Sequence, residues 1–107
     1  MCGVFNMENL NISVAHLNAY IDVLINRCFS ILPLFEENGQ CDLLQKNVNN
    51  LLYHVDGFFL LNNYNSNITI EIISYINELK YSSEHHQVRS CVLKACSLLS
   101  KLKVVVE

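Results

Sequence analysis

Between Leu10 and Phe35 the apolar residues Leu10, Val14, Leu17, Ile21, Leu24, Cys28, Ile31 and Phe35 recur in steps of 4-3-4-3-4-3-4. That spacing is the seam of a packed helix. Further apolar residues flank it: Ala15, Ala19, Val23, Ile25, Phe29 and Leu32. Only a narrow polar stripe remains, Asn18, Asp22, Asn26 and Ser30, with Arg27 beside it. A helix apolar over most of its circumference needs partners on more than one side. Pro33 lies late in this stretch and should bend the helix or end it near Leu32. Asn38-Gly39 is a suitable stop, because both residues tolerate left-handed dihedrals.

The rest of the chain repeats the helical period. A second helix is expected over about 42–61, with the seam Leu44, Val48, Leu51, Val55 and Phe58, widened by Leu52 and Phe59. Gly57 interrupts it and costs about 1 kcal/mol relative to alanine, which signals a close helix crossing or a local break. Residues 62–67, Asn-Asn-Tyr-Asn-Ser-Asn, read as a loop. A third helix follows over 68–81, capped by Ser66 or Asn67 and assisted by Glu71 at its positive end. It buries Ile72, Ile73, Ile76 and Leu79, although Ile68-Thr69-Ile70 taken alone also reads as a strand. A fourth runs from Ser82-Ser83-Glu84 to about Val104 on the seam Val88, Val92, Ala95, Leu99, Leu102 and Val106. Its opposite face is polar: Gln87, Ser90, Lys94, Ser97 and Lys101. At the other end, residues 1–8 read as frayed, Asn9 or Asn11 as the first cap, and Met7 as an alternative start. Short connections between four helices imply an all-α fold, an antiparallel four-helix bundle with a central, widely apolar first helix, in one domain over 1–107.

Composition limits the function classes. With 51% hydrophobic and 16% charged residues, the chain leans away from disorder and toward burial or association. A 107-residue chain leaves much surface exposed, so a partner adds useful burial. One proline and three glycines supply too few turns for a many-stranded sandwich. Charge is uneven. Residues 1–79 carry eight acids against Arg27 and Lys46, whereas Lys80, Arg89, Lys94, Lys101 and Lys103 face only Glu84 and Glu107. An acidic body argues against nucleic acid as the main partner and suits a basic protein. Cys2, Cys28, Cys41, Cys91 and Cys96 form no CxxC pair and are read as free thiols of a reducing cytoplasm. The first residues lack the pattern of a secretory signal. Asn26-Arg27 interrupts the best apolar run, so no membrane span is expected.

Candidate chemistry is sparse. His85-His86 and Cys91 lie at a poor spacing for one metal ion, and Tyr53-His54-Val55-Asp56 places its acid and base on diverging sides of a helix. Arg27 likewise diverges from Cys28, leaving that thiol unactivated. No serine elbow or phosphate-binding loop occurs. The expectation is a non-enzyme with no catalytic residue, metal or cofactor. Two charged sets remain as contact candidates. Glu36, Glu37, Asp42, Asp56, Glu71 and Glu78 would form an acidic face for a basic protein partner. Arg89, Lys94 and Lys101 would form an alternative basic face, with no aromatic residue interleaved for base stacking.

Residues 47–55, Asn-Val-Asn-Asn-Leu-Leu-Tyr-His-Val, the 62–67 loop, and residues 72–79, Ile-Ile-Ser-Tyr-Ile-Asn-Glu-Leu, together form a pattern similar to the middle of the small enterobacterial Hha-toxicity modulators. The stretch Asn65–Glu78 and the last helix with Val88-Arg89 also resemble the biofilm and acid-resistance regulators of the YmgB/AriR type. The resemblance implies a small helical bacterial protein of the cytoplasm. The first family implies a protein partner that is itself a regulator, and the second implies a dimer. The cysteines and the basic last helix depart from the acidic antitoxins. The expected function is therefore a protein-binding module that neutralises or regulates its partner, as an antitoxin, an immunity protein or a small regulator. The alternative is a homodimeric regulator that touches nucleic acid through the basic last helix.

Overall fold

The structure, a computed structural model, describes the backbone of residues 7–104 and the side chains from Val14 to Val104. Every regular element among them is helical: α1 (Met7–Phe29), α2 (Ile31–Asn38), α3 (Asp42–Leu61), α4 (Asn67–Glu78) and α5 (His85–Lys101). The first helix thus begins ahead of Asn9 and Asn11. The side chain of Leu10, the residues up to Asn6 and the seam residue Val106 lie outside the described residues.

The long seam folds as two consecutive helices. The break falls at Ser30, and Pro33 becomes the third residue of α2. The first turn of a helix has no intrahelical acceptor for its N–H groups, so proline is accommodated there without losing a bond. Pro33 predicts a bend or an end near Leu32 and Asn38-Gly39 a stop; the structure breaks the helix three residues before the proline and ends α2 at Asn38. The Ser30 hydroxyl donates to the Arg27 carbonyl at 2.6 Å, satisfying an acceptor at the end of α1. Gly39, at φ +62°, closes α2 with its N–H on the Phe35 carbonyl at 2.7 Å.

Side-chain contacts set the direction of each pair. Tyr20 and Phe58 rings meet at 4.9 Å while Arg27 donates to Asn50 at 3.3 Å, so α1 and α3 run oppositely. Asn18 bonds the Val104 backbone at 2.6 and 2.9 Å, Asp22 pairs with Lys103 at 2.7 Å, and Cys96 Sγ approaches the Ile25 carbonyl at 3.6 Å. Thus α5 descends along α1. It also packs on α4, where Lys94 sits over the Tyr75 ring at 5.5 Å, and α4 packs back on α3. Four long helices therefore form an up-down-up-down ring in the order α1, α3, α4, α5, with α2 as a short extension contacting α1, α3 and α5. The seams predicted from spacing are the core: Ile21, Leu24, Cys28, Ile31 and Phe35; Leu44, Val48, Leu51, Val55 and Phe58; Ile72, Ile76 and Leu79; Val88, Val92, Ala95 and Leu99. Leu17, Ile73 and Leu102 are only partly covered. The flank of α1 is less enclosed than its composition suggests, since Val23 and Phe29 remain 43% and 41% exposed.

Ile68-Thr69-Ile70 belongs to α4 because the turn before it is locally closed. The Thr69 hydroxyl donates to the Ser66 carbonyl at 2.8 Å and accepts from the Ser66 N–H at 3.1 Å. This reciprocal arrangement buries Thr69 and fixes the helix start, leaving Glu71 beyond the first turn. The far end of α4 stops at Glu78, three residues short of the expected end, and two glutamines hold the turn that follows. Gln40 donates to the carbonyls of Leu79 (2.7 Å) and Ser82 (2.6 Å). Gln45 donates to Gln40 Oε1 (2.7 Å) and to the Lys80 carbonyl (2.8 Å). Replacing Gln40 with alanine leaves two half-buried carbonyls without that donor. A loss of about 1–3 kcal/mol in urea unfolding is expected, against about 0.5 kcal/mol or less for an exposed site such as Gln87→Ala.

Gly57 causes no break, and no neighbour among the described residues requires it. Helix α3 continues through it to Leu61, and a Cβ built there meets nothing within 4 Å. Alanine at this position gains helix propensity without a clash. Gly57→Ala is expected to stabilise the isolated protein by about 0.5–1 kcal/mol, seen as a Tm increase of about 2–5 °C.

Candidate protein-docking surface

The C-terminal half of α3 brings unlike features together on its outer side. Tyr53, Gly57, Leu60 and Leu61 follow at helical spacing, so they share the face turned away from the core seam. Tyr53 is 77% exposed, Leu60 73% and Leu61 84%. A groove of about 430 Å³ runs between this face and Tyr20 of α1, lined also by His54, Asp56 and Phe58. A second, of about 390 Å³, lies on the α4 side between Asp56, Leu60, Asn63, Tyr64, Ile70 and Ile73. Asp56 and Leu60 line both, so they form the ridge between them.

The floor of this surface is a cluster of packed rings. Phe58 packs against Tyr20, Phe59 and Tyr64 with ring separations of 4.9, 6.2 and 5.5 Å. Asn63 turns the chain in the left-handed region, at φ 60°, a conformation asparagine tolerates better than most residues. The Tyr64 N–H then bonds the Phe59 carbonyl at 2.9 Å and seats its ring over the end of α3.

The charged candidates are dispersed. Glu36, Glu37 and Asp42 are exposed near the α2–α3 corner, with Glu36 3.7 Å from Arg89. Asp56 lies 14 positions along α3 from Asp42, about 21 Å away along the helix axis. Glu71 and Glu78 are exposed on α4. Of the six acids, Asp56 is the one that lies within the apolar surface. On α5, His85, His86, Arg89, Ser90, Leu93 and Lys94 line an open dish of about 680 Å³. His85 meets the Phe35 ring edge-on at 5.2 Å, and His86 is 3.7 Å from Glu84. Lys101 is exposed on the last turn.

Two thiols meet in the core. Cys28 of α1 is fully buried, and its thiol hydrogen-bonds that of Cys96 on α5. This bond, then burial, then the proximity of Cys96 push the Cys28 thiol well above its ordinary range. The same bond pulls Cys96 down, against the opposing effect of its burial. Burial and nearby Glu78 raise the Cys91 thiol, with Lys94 acting in the opposite direction. Arg27 points away to Asn50 and activates none of them. Among the described residues no three His, Cys, Asp or Glu side chains converge as metal ligands. No helix there is long and apolar enough to cross a membrane.

Comparison with family models, curated proteins and solved structures returns no match. The functional reading therefore stands on geometry. Sequence inspection missed the α3 surface because Leu60 and Leu61 end an apolar run that is read first as core. The visible signal was Tyr53, Gly57 and Leu60/Leu61 recurring off the main seam.

Thiol burial gives a direct check on the packing. In the native protein, iodoacetamide is expected to alkylate half-exposed Cys41 well before Cys28, which reacts only on unfolding. Peptide mapping by mass spectrometry separates the two sites.

Proposed function

We propose that this protein acts by contact, as a non-enzymatic module that binds another protein and restrains or regulates it. One observation carries this reading. Three large apolar side chains, Tyr53, Leu60 and Leu61, stand mostly exposed on one helix face beside a groove with an aromatic floor. Grouped exposure of this kind marks a surface that a partner covers. Its composition, tyrosine and leucine with one acid on the ridge, is that of a contact core with a polar margin. Such a surface suits an antitoxin, an immunity protein or a small regulator alike, and the cytoplasm is the compartment that suits the free thiols.

A dimer that touches nucleic acid through Arg89, Lys94 and Lys101 has less support. Arg89 lies beside Glu36, and Lys94 sits over Tyr75, so both cations already have neighbours within the fold. Non-specific nucleic-acid binding depends on several cations free to replace counterions.

The protein expressed at its natural level in its own cells is expected to elute from a sizing column with a second, different polypeptide in fixed stoichiometry. Elution as the isolated chain, or as a complex with itself alone, overturns the proposal.

A further inference from the structure

We infer that the outer face of α3 around Gly57 receives a basic amphipathic helix from the partner, crossing close to the glycine with a Lys or Arg set against Asp56. This rests on the protein-binding reading above and specifies where and with what chemistry it occurs.

The glycine supplies the first argument. It sits mid-helix, where it costs about 1 kcal/mol relative to alanine. A close crossing with another part of the chain would explain it, yet among the described residues nothing lies within 4 Å of a Cβ built there. The empty space is not bare solvent-facing polar surface. Tyr53 precedes it by one turn, Leu60 and Leu61 follow it by one turn, and Tyr20 closes the α1 side. A missing side chain flanked by apolar ones is a notch into which a second helix can settle. The gain is a backbone approach closer than the usual 8–10 Å between helix axes. The grooves on either side of the Asp56–Leu60 ridge would then take side chains from successive turns of the incoming helix.

Charge selects the occupant. Asp56 adjoins the notch and lines both grooves. A second copy of this chain, related by a two-fold axis through Gly57, would bring the two Asp56 carboxylates to the same crossing. Like charges there oppose self-association. The disfavour extends beyond the contact, because residues 1–79 carry eight acids and two cations. A helix bearing Lys or Arg beside its apolar stripe meets both conditions, and attraction over the acidic body also speeds its encounter.

The test pans a displayed library of 20-residue helical peptides, randomised in charge and apolar pattern, against the full chain. Enriched peptides are then measured against Gly57→Leu, Asp56→Lys and the remote exposed control Ser97→Leu. Leucine at position 57 fills open space in a helix, so the variant folds and its loss of binding is read at the surface. The expected result is enrichment of amphipathic sequences with Lys or Arg. Their affinity falls about tenfold or more with Gly57→Leu and about fivefold with Asp56→Lys, and is unchanged with Ser97→Leu. Enrichment of acidic peptides, no enrichment, or binding indifferent to Gly57→Leu overturns the inference. Self-association of the chain that Gly57→Leu abolishes overturns it too, and assigns the face to a second copy. If a stoichiometric partner is recovered from cells and Gly57→Leu leaves that complex intact, this surface is wrong while the protein-binding reading survives. Absence of any partner removes the reading itself.

Discussion

Covering the Ile21–Leu24–Cys28 strip of α1 is the condition on which the bundle depends, and it takes two helices distant in sequence to meet it. Helix α3 reaches it through Leu51, Val55 and Phe58, and α5 through Val92, Ala95 and Leu99. Helix α4 then closes the ring by covering the remaining sides of α3 and α5 with Ile72, Ile76 and Leu79. Each burial is worth roughly 1.5–3 kcal/mol per large side chain, but only while the others remain in place. The chain is thus committed to a closed four-member ring, and a three-helix subset would leave one seam in water.

Apolar seams alone leave the register loose, because helices can slide by a turn at modest loss of contact. Polar bonds at the two ends of the ring remove that freedom. At one end Asn18 holds the Val104 backbone through both its amide groups while Asp22 holds Lys103. At the other, Gln40 and Gln45 take three carbonyls from the turn after α4. These are single-geometry contacts, each worth about 0.5–1.5 kcal/mol, and a one-turn slip of about 5.4 Å breaks all of one set.

The seams were legible in the sequence because burial and the 3.6-residue period coincide at nearly every core position from Ile21 to Leu99. The Ser30 break was less legible. Pro33 announces a discontinuity, but where it falls depends on which upstream carbonyl can be spared, and the Ser30 hydroxyl settles that through Arg27. The glutamine clasp was not legible at all, since its bonds span 35 to 42 positions and carry no periodic signature. The charged faces show the same limit. Six acids named from sequence distribute over three helices, because residue type says nothing about azimuth across elements. Gly57 was noticed, but its meaning required coordinates, as only they show that no described residue comes within 4 Å of a Cβ built there.

The α3 surface itself follows from how the chain leaves that helix. Tyr20 stands level with Phe58 and forms the α1 wall of the first groove. Asn62 and left-handed Asn63 then turn the chain toward α4, with Asn62 Nδ2 on the Phe58 carbonyl at 2.9 Å. Tyr64 folds back over the aromatic floor and leaves Leu60 and Leu61 outside it. Helix α4 starts only at Asn67, lower on the other flank. Two grooves flank the ridge of Asp56 and Leu60, one toward Tyr20 of α1 and one toward Ile70 and Ile73 of α4. The surface's floor of packed rings is already formed in the isolated chain. Such preorganisation lowers the ordering entropy lost on binding, so a modest apolar contact can hold a partner there.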